Sequence, residues 1–277
     1  VTTSLYIKIA FIIAKVKHLP DELPDAARAL HSLGFCLAKA GRYSEAISQY
    51  QEALKMIGET SKKLTGTILF SCSVVHLARI DFEKGLKTIK DCVKIVSECS
   101  KSNELYAEVL MLKADALMSD DDYQGAMEFY DLSLEKLSIN STNHRVQIGI
   151  VLGRKGRLYL LLGEFDNAFN TFCACIEWKE KISENSCELA SIYNYMGDIC
   201  LLQGSQKDGL LYFDRSYRMY EYQRKKNQSF EDNEIEIHII NGKTDDLNDD
   251  YEGCRENFEL ARAAMRKSKQ QNIERMA

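Results

Sequence analysis

Between Leu152 and Glu177 the apolar positions recur with the 3.6-residue period of an α-helix, break once at Gly163, and then resume. Leu152, Gly156 and Tyr159 share one face of a first helix, and Phe165, Ala168, Phe172 and Cys175 share one face of a second. Gly156 and Ala168 are small where two helix axes must approach. Gly163 stands where the chain has to turn, a backbone position that glycine takes without a Cβ penalty. The same arrangement returns along the chain. Aligned on the small residue that opens each second helix, Ala46, Gly85, Ala126, Ala168, Gly209 and Cys254 fall in one column. Four positions on stand Tyr50, Ile89, Tyr130, Phe172, Phe213 and Phe258, and seven on stand Ala53, Cys92, Ser133, Cys175, Ser216 and Ala261. Twelve positions before the small residue, on the first helices, lie Gly34, Ser73, Ala114, Gly156, Gly197 and Gly242. Six copies of one small-large-small pattern at helical spacing predict six tandem helix pairs.

The ends follow the same register. Leu5, Ile9 and Ile12 within Ser4–Lys17 predict one further helix, a half repeat or cap over residues 1–24, and Pro24 opens the next helix, where its missing N–H costs nothing. The helix pairs are expected at about 26–60, 65–100, 104–138, 146–182, 187–226 and 232–267, within an array covering 25–267, followed by a charged extension over 268–277. The stretch Glu231–Asp250 is ambiguous by pattern, because the alternation of Ile235, Ile237 and Ile239 also suits a strand. The register running on to Gly242 and Cys254 favours a helix. Since the chain opens on Val1, it is expected to be a piece of a longer protein.

These residues resemble the tetratricopeptide repeat family, and LHSLGFCLAKAGRYSEAISQYQEAL from Leu30 to Leu54 matches its pattern nearly throughout. The resemblance implies an all-α, right-handed α-solenoid of about six helix pairs plus the extra N-terminal helix. The period, about 41 residues, exceeds the usual 34 or so. In this the repeats are similar to those of kinesin light chain and of Pins/LGN-type adaptors. Two features depart from the family: no proline ends the repeats, and Gln206 stands where an aromatic is expected.

A single helix pair cannot cover its own apolar face, so neighbours stack. By the family's architecture the first helices line a concave groove. Projected onto this chain, the groove residues are His31, Ser32 and Phe35, then Phe70, Ser71 and Val74, then Met111, Leu112 and Asp115. Arg154 and Arg157 follow, then Asn194, Tyr195 and Asp198, then Ile239 and Lys243. An apolar half gives way to a charged half, and the arginines suit carboxylates of a ligand. The carboxylate clamp of chaperone-binding members is not reproduced from any starting repeat; His31, Phe35, Ser71, Glu108 and Leu112 occupy its positions in the first alignment.

Composition narrows the remaining classes. With 41 acidic and 36 basic residues the formal net charge is −5, so no general basic field exists to hold nucleic acid or an anionic membrane. Tyr217, Tyr220 and Tyr222 beside Arg215, Arg218, Arg224, Lys225 and Lys226 read as a helix with one buried and one solvated side. The apolar run Ile9–Ala14 is too short to span a bilayer. Nine cysteines without a CxxC pair point to a reducing compartment, the cytoplasm, and no metal or other cofactor is expected. Cys72, Cys92, Cys175, Cys200 and Cys254 fall where the repeat needs small buried residues, and Trp178 is expected to pack against the next repeat.

The five histidines are scattered without HExxH or GxSxG, and Gly149, Gly153 and Gly156 read as helix-packing residues and not as a phosphate loop. The chain is therefore expected to be no enzyme but a protein-interaction module, an adaptor or scaffold holding a peptide or helix in its groove. The alternatives are a subunit packing laterally in a large assembly, and a regulatory array attached to an enzyme outside this chain.

Overall fold

The computed structural model describes residues 23–58, 60–98, 103–137, 144–180, 186–226 and 231–276. Among them are twelve helices and no strand. They are α1 (Leu23–Lys39), α2 (Tyr43–Ile57), α3 (Lys62–Ala78), α4 (Phe82–Ser97), α5 (Asn103–Ser119) and α6 (Tyr123–Lys136). The second half continues with α7 (Arg145–Leu161), α8 (Phe165–Glu180), α9 (Cys187–Leu202), α10 (Gln206–Lys226), α11 (Glu231–Leu247) and α12 (Tyr251–Met276). The chain is an all-α solenoid of helix pairs, grouped in two compact units that divide in sequence after Leu137. The helix expected within Ser4–Lys17 lies outside the described residues. The ambiguous stretch from Glu231 is helical, as its register required.

One contact repeats in both units. In α1 a Cβ placed on Gly34 would lie 2.5 Å from the Tyr50 ring of α2, and the same distance separates Gly156 from Phe172 and Gly197 from Phe213. Gly242 meets Phe258 in the same way. In the second and third pairs the column holds Ser73 against Ile89 and Ala114 against Tyr130, all fully buried. A large side chain thus faces a glycine in four pairs and a serine or alanine in the other two, and helix pairs close only where one partner is small. The small residues opening the first five second helices are buried as well, Ala46, Ala126 and Ala168 completely, while Cys254 is partly buried.

The third column does more than fill space. Cys92 donates to the Gly66 carbonyl, Ser133 to that of Ala107 at 2.8 Å, Cys175 to that of Gly149, and Ser216 to that of Ala190 at 2.7 Å. Each bond runs back 26 residues to the first helix of its own pair. Serine and cysteine alternate here because both are small and both carry a donor. Burial pushes the Cys92 thiol up to about 12.

The turns inside the pairs share one geometry. Five residues before each small position the backbone is left-handed, at Gly41, Ile80, Asp121, Gly163, Gly204 and Asp249. The next amide reaches back to a carbonyl five residues earlier, as from Arg42 to Leu37, Glu164 to Tyr159 and Ser205 to Cys200. This is the Schellman closure of a helix C-terminus. Glycine suits it, but Ile80 takes φ of 61° as a β-branched residue, with 73% of its surface exposed.

Gln206, the departure from the aromatic pattern, donates to the Leu247 carbonyl at 2.8 Å. It satisfies an orphan carbonyl at the end of α11, which an aromatic ring cannot do. The adjoining turn is tied similarly, with Gln203 donating to Asp166 at 2.9 Å.

Two substitutions test this architecture by chemical denaturation. Ile80→Gly removes left-handed strain at an exposed site and is expected to stabilise the chain by about 1 kcal/mol. Ala168→Asp places an unpaired carboxylate where the side chain is fully buried and is expected to cost more than about 2 kcal/mol. Unchanged stability in the second variant would contradict the register.

Candidate partner-binding faces

Each unit is built so that its first helices touch one another, α1 with α3 and α3 with α5 in one, α7 with α9 in the other. In the first unit, His31 of α1 lies 2.8 Å from the Ser71 hydroxyl of α3, and its ring sits 5.6 Å from that of Tyr50. Burial lowers its pKa, so the neutral imidazole is favoured. Phe35 is half exposed, with the Lys39 ammonium 5.5 Å from its ring centre, and Val74 and Ser32 are also exposed. Phe70 and Leu112 are partly buried against a core of Ile89, Cys92, Val96 and Val109. Met111 is half-buried, and Asp115 accepts the Tyr130 hydroxyl at 2.6 Å. The expected apolar residues of this unit therefore come together on adjoining first helices, while Asp115 supplies the acceptor that lets a fully buried tyrosine keep its hydroxyl.

In the second unit the expected polar residues divide into two groups. Lys243 of α11 donates to Asn194 at 3.1 Å and to both carboxylate oxygens of Asp198 at 2.7 and 2.9 Å. Its ammonium also lies 5.2 Å from the centre of the Phe213 ring. Asn194 is buried, and both charged side chains are less than one-third exposed. These three side chains thus clasp α9 to α11. Sequence placed them on one face but could not show that they bind each other. Ile239, on the same helix as Lys243, is half-buried.

Arg154, Arg157 and Tyr195 form the other group. With Ile150, Gly153, Glu188, Ser191 and Ile192 they line a cleft of about 220 Å³ between α7 and α9. The Arg157 guanidinium carbon is 5.8 Å from the Tyr195 ring centre, and Tyr195 stacks on Phe172 at 5.8 Å with an interplanar angle of 14°. Phe172 is the same ring that presses on Gly156, so the cleft wall rests directly on the repeat contact. Burial and the like charge of Arg157 lower the pKa of Arg154, while Glu188 opposes the shift. At the base, the Ser191 hydroxyl lies 2.6 Å from that of Tyr220, whose phenol is pushed up by burial, and donates to the Cys187 carbonyl at 3.1 Å. Glu188 and Ser191 escaped the groove projection because they lie nine and six residues before Gly197, the close-packing position of α9, whereas the projection took only residues next to that position.

Gly153 also departs from its expected packing role. A Cβ there would make only ordinary contacts, 3.5 Å from Cys175 and 3.6 Å from Ile192. It therefore costs α7 about 1 kcal/mol relative to alanine without a steric requirement in return. Among the described residues no cluster of three or more His, Cys, Asp or Glu side chains could hold a metal, and no helix is long and apolar enough to cross a membrane. Cys72, Cys92, Cys175 and Cys200 are buried as their positions required, and Cys254 is partly so.

The tetratricopeptide repeat model matches residues 27–58, in the first unit, and residues 151–182, in the second. Over 134 residues the chain is 27% identical to the photosystem I assembly protein Ycf3 of Prochlorococcus marinus (strain NATL1A), covering 48% of this chain and 73% of that protein. Among solved structures, the apo form of RapI aligns with a TM-score of 0.71 at 14% identity, covering 97% of this chain and 72% of the other. The kinesin light chain-like repeats of Podosopora anserina align at 0.59 and 13% identity, covering 74% and 99% respectively. The similarity to kinesin light chain repeats expected from the long period has this counterpart in fold alone. One helix pair in each unit thus matches the tetratricopeptide repeat model, and all six pairs share the register of those two.

Proposed function

We propose that the chain is a non-enzymatic protein-interaction module, an adaptor or scaffold acting in the cytoplasm, which holds a peptide or helix of a partner protein against its first helices. The observation that carries this reading is the cleft between α7 and α9, where two arginines and an aromatic ring meet beside Ile150, Ile192, Glu188 and Ser191. At about 220 Å³ it is smaller than the roughly 300–1,000 Å³ typical of small-molecule sites, and it suits a side chain or two of a larger partner. Arginine and tyrosine are also the residue types that most often carry binding energy at interfaces. The exposed Phe35 and Val74 offer apolar contacts on the corresponding face of the first unit.

Within this reading Asn194 and Asp198 serve the repeat stack and not the ligand. Lys243→Met is expected to destabilise the chain by about 1–2 kcal/mol, since it leaves a charged acceptor without its main donor. Loosening should concentrate in α11 and α12 when followed by hydrogen exchange. Unaltered exchange in these helices would contradict the clasp.

The functional test is an affinity capture from eukaryotic cytosol with the chain and its Arg154→Glu, Arg157→Glu double variant, with bound proteins identified by mass spectrometry. Circular dichroism verifies that both forms keep their helicity. Partners lost by at least about tenfold in the double variant are expected, because each arginine–carboxylate contact becomes a like-charge repulsion. Partners retained equally by both forms would remove the cleft from the account and move binding to other surfaces.

A further inference from the structure

In the first unit α3 packs on both α2 and α4, and these three helices border a second cleft, of about 690 Å³. It belongs to two second helices and the first helix between them. Leu54, Leu69 and Ile95 supply its apolar lining, and Thr65 spends its hydroxyl on the Ser61 carbonyl at 3.0 Å. Lys62 donates to Glu98 at 2.6 Å, so these two charges of the lining answer each other. Asp91 is exposed on the lining and forms no ion pair among the described residues.

The repeat itself states what suits this space, because the second unit fills the same positions with its own side chains. Four residues before the close-packing position, α9 has Tyr193 where α3 has Leu69. Three and six residues beyond the small residue that opens the second helix, α10 has Tyr212 and Arg215 where α4 has Thr88 and Asp91. Tyr212 stacks on Tyr193 at 6.2 Å with an interplanar angle of 17° and meets Phe169 of α8 edge-on at 6.0 Å. The Arg215 guanidinium lies 4.5 Å from the centre of the Tyr193 ring. In α6 the position of Tyr212 is again a ring, Phe129, with the Lys113 ammonium 3.8 Å from its centre. A ring with a cation beside it therefore fills this layer in both places. Around α3 the ring is missing, and a carboxylate stands where α10 carries its guanidinium. Lys94 shows no such reversal of charge, since Arg218 holds its place in α10.

We propose that the cleft of α2, α3 and α4 is a docking surface for a helix of a partner protein that presents an aromatic side chain and, one turn on, an arginine or lysine. The ring rests on Leu54, Leu69 and Ile95 in the layer that Tyr212 fills in the second unit, and the cation pairs with Asp91. Tyr212 and Arg215 reach their layer from one turn of one helix, so a helix is the ligand that reproduces their spacing. This surface is separate from the first-helix cleft, and the proposal does not depend on binding there.

The test selects peptides on the immobilised full chain from a degenerate dodecapeptide library, acetylated and amidated at its ends, and reads the retained sequences by mass spectrometry. The wild-type chain should enrich an aromatic residue followed three or four positions later by arginine or lysine, by about tenfold over the input. Leu69→Tyr with Thr88→Tyr, which copies the residues of the second unit, should remove that enrichment while circular dichroism shows the helicity kept. Asp91→Arg changes an exposed side chain without risk to the fold, and should turn the preference at the second of the two positions from basic to acidic. The Arg154→Glu, Arg157→Glu double variant should select as the wild-type chain does. Retention of no peptide, or of peptides without the aromatic–basic pair, would overturn the proposal. A pair preference unmoved by Asp91→Arg would overturn it too. Loss of the preference in the arginine double variant would assign the peptide to the first-helix cleft and likewise overturn it.

Discussion

The close approach of a large side chain to a residue with little or no side chain of its own, sixteen positions earlier, governs this chain. Gly156 under Phe172 shows the constraint most plainly, because any Cβ at that site would overlap the ring. With this distance fixed, the two helices of a pair can pack in only one register. The serine or cysteine three residues beyond the ring then falls beneath the carbonyl to which it donates. The left-handed turn between the helices and the small residue that opens the second helix follow from the same closure. Stacking of neighbouring pairs adds nearest-neighbour terms to a geometry that each pair already specifies.

That constraint also shapes the candidate surface on the first helices. The inner ends of the first helices are consumed by packing, which leaves the residues one turn away to face neighbouring first helices or a ligand. In the second unit the two fates are separated. Asn194 and Asp198 are drawn into a clasp with Lys243, whereas Arg154 and Arg157 border the cleft beside Tyr195. Phe172 joins the two halves of the account, since its ring bears on Gly156 and stacks with the cleft wall at Tyr195. The cleft wall and the core are therefore in direct contact.

Much of the fold was legible in the sequence because helical periodicity and the small-large-small columns recur six times. Repetition turned a weak local signal at Glu231–Leu247, where alternating isoleucines imitate a strand, into a correct helix. The candidate site was legible only as a set of positions. Periodicity states which face a residue occupies, and it does not state whether two charged residues on that face meet each other. Lys243 and Asp198 are 45 residues apart in sequence and 2.7 Å apart in space, a pairing that no single-repeat pattern encodes. Gln206 is instructive in the opposite sense, because its departure from the aromatic column marked a position where a hydrogen bond between repeats replaces an apolar contact. Gly153 looked like another packing glycine because sequence spacing cannot distinguish a position pressed by a ring from one where a Cβ would make only ordinary contacts.

A double-mutant cycle at Gly156 and Phe172, followed by chemical denaturation, tests the governing contact most directly. Gly156→Ala alone should destabilise the chain by about 1–3 kcal/mol through overlap with a ring that has no room to move. Phe172→Leu alone should destabilise it by leaving unfilled space. Combined, the smaller side chain should accommodate the added methyl group, so the pair should cost less than the sum of the two by at least about 1 kcal/mol. Additive losses would mean that the two residues do not meet, and the register on which both the repeat and the cleft depend would be wrong.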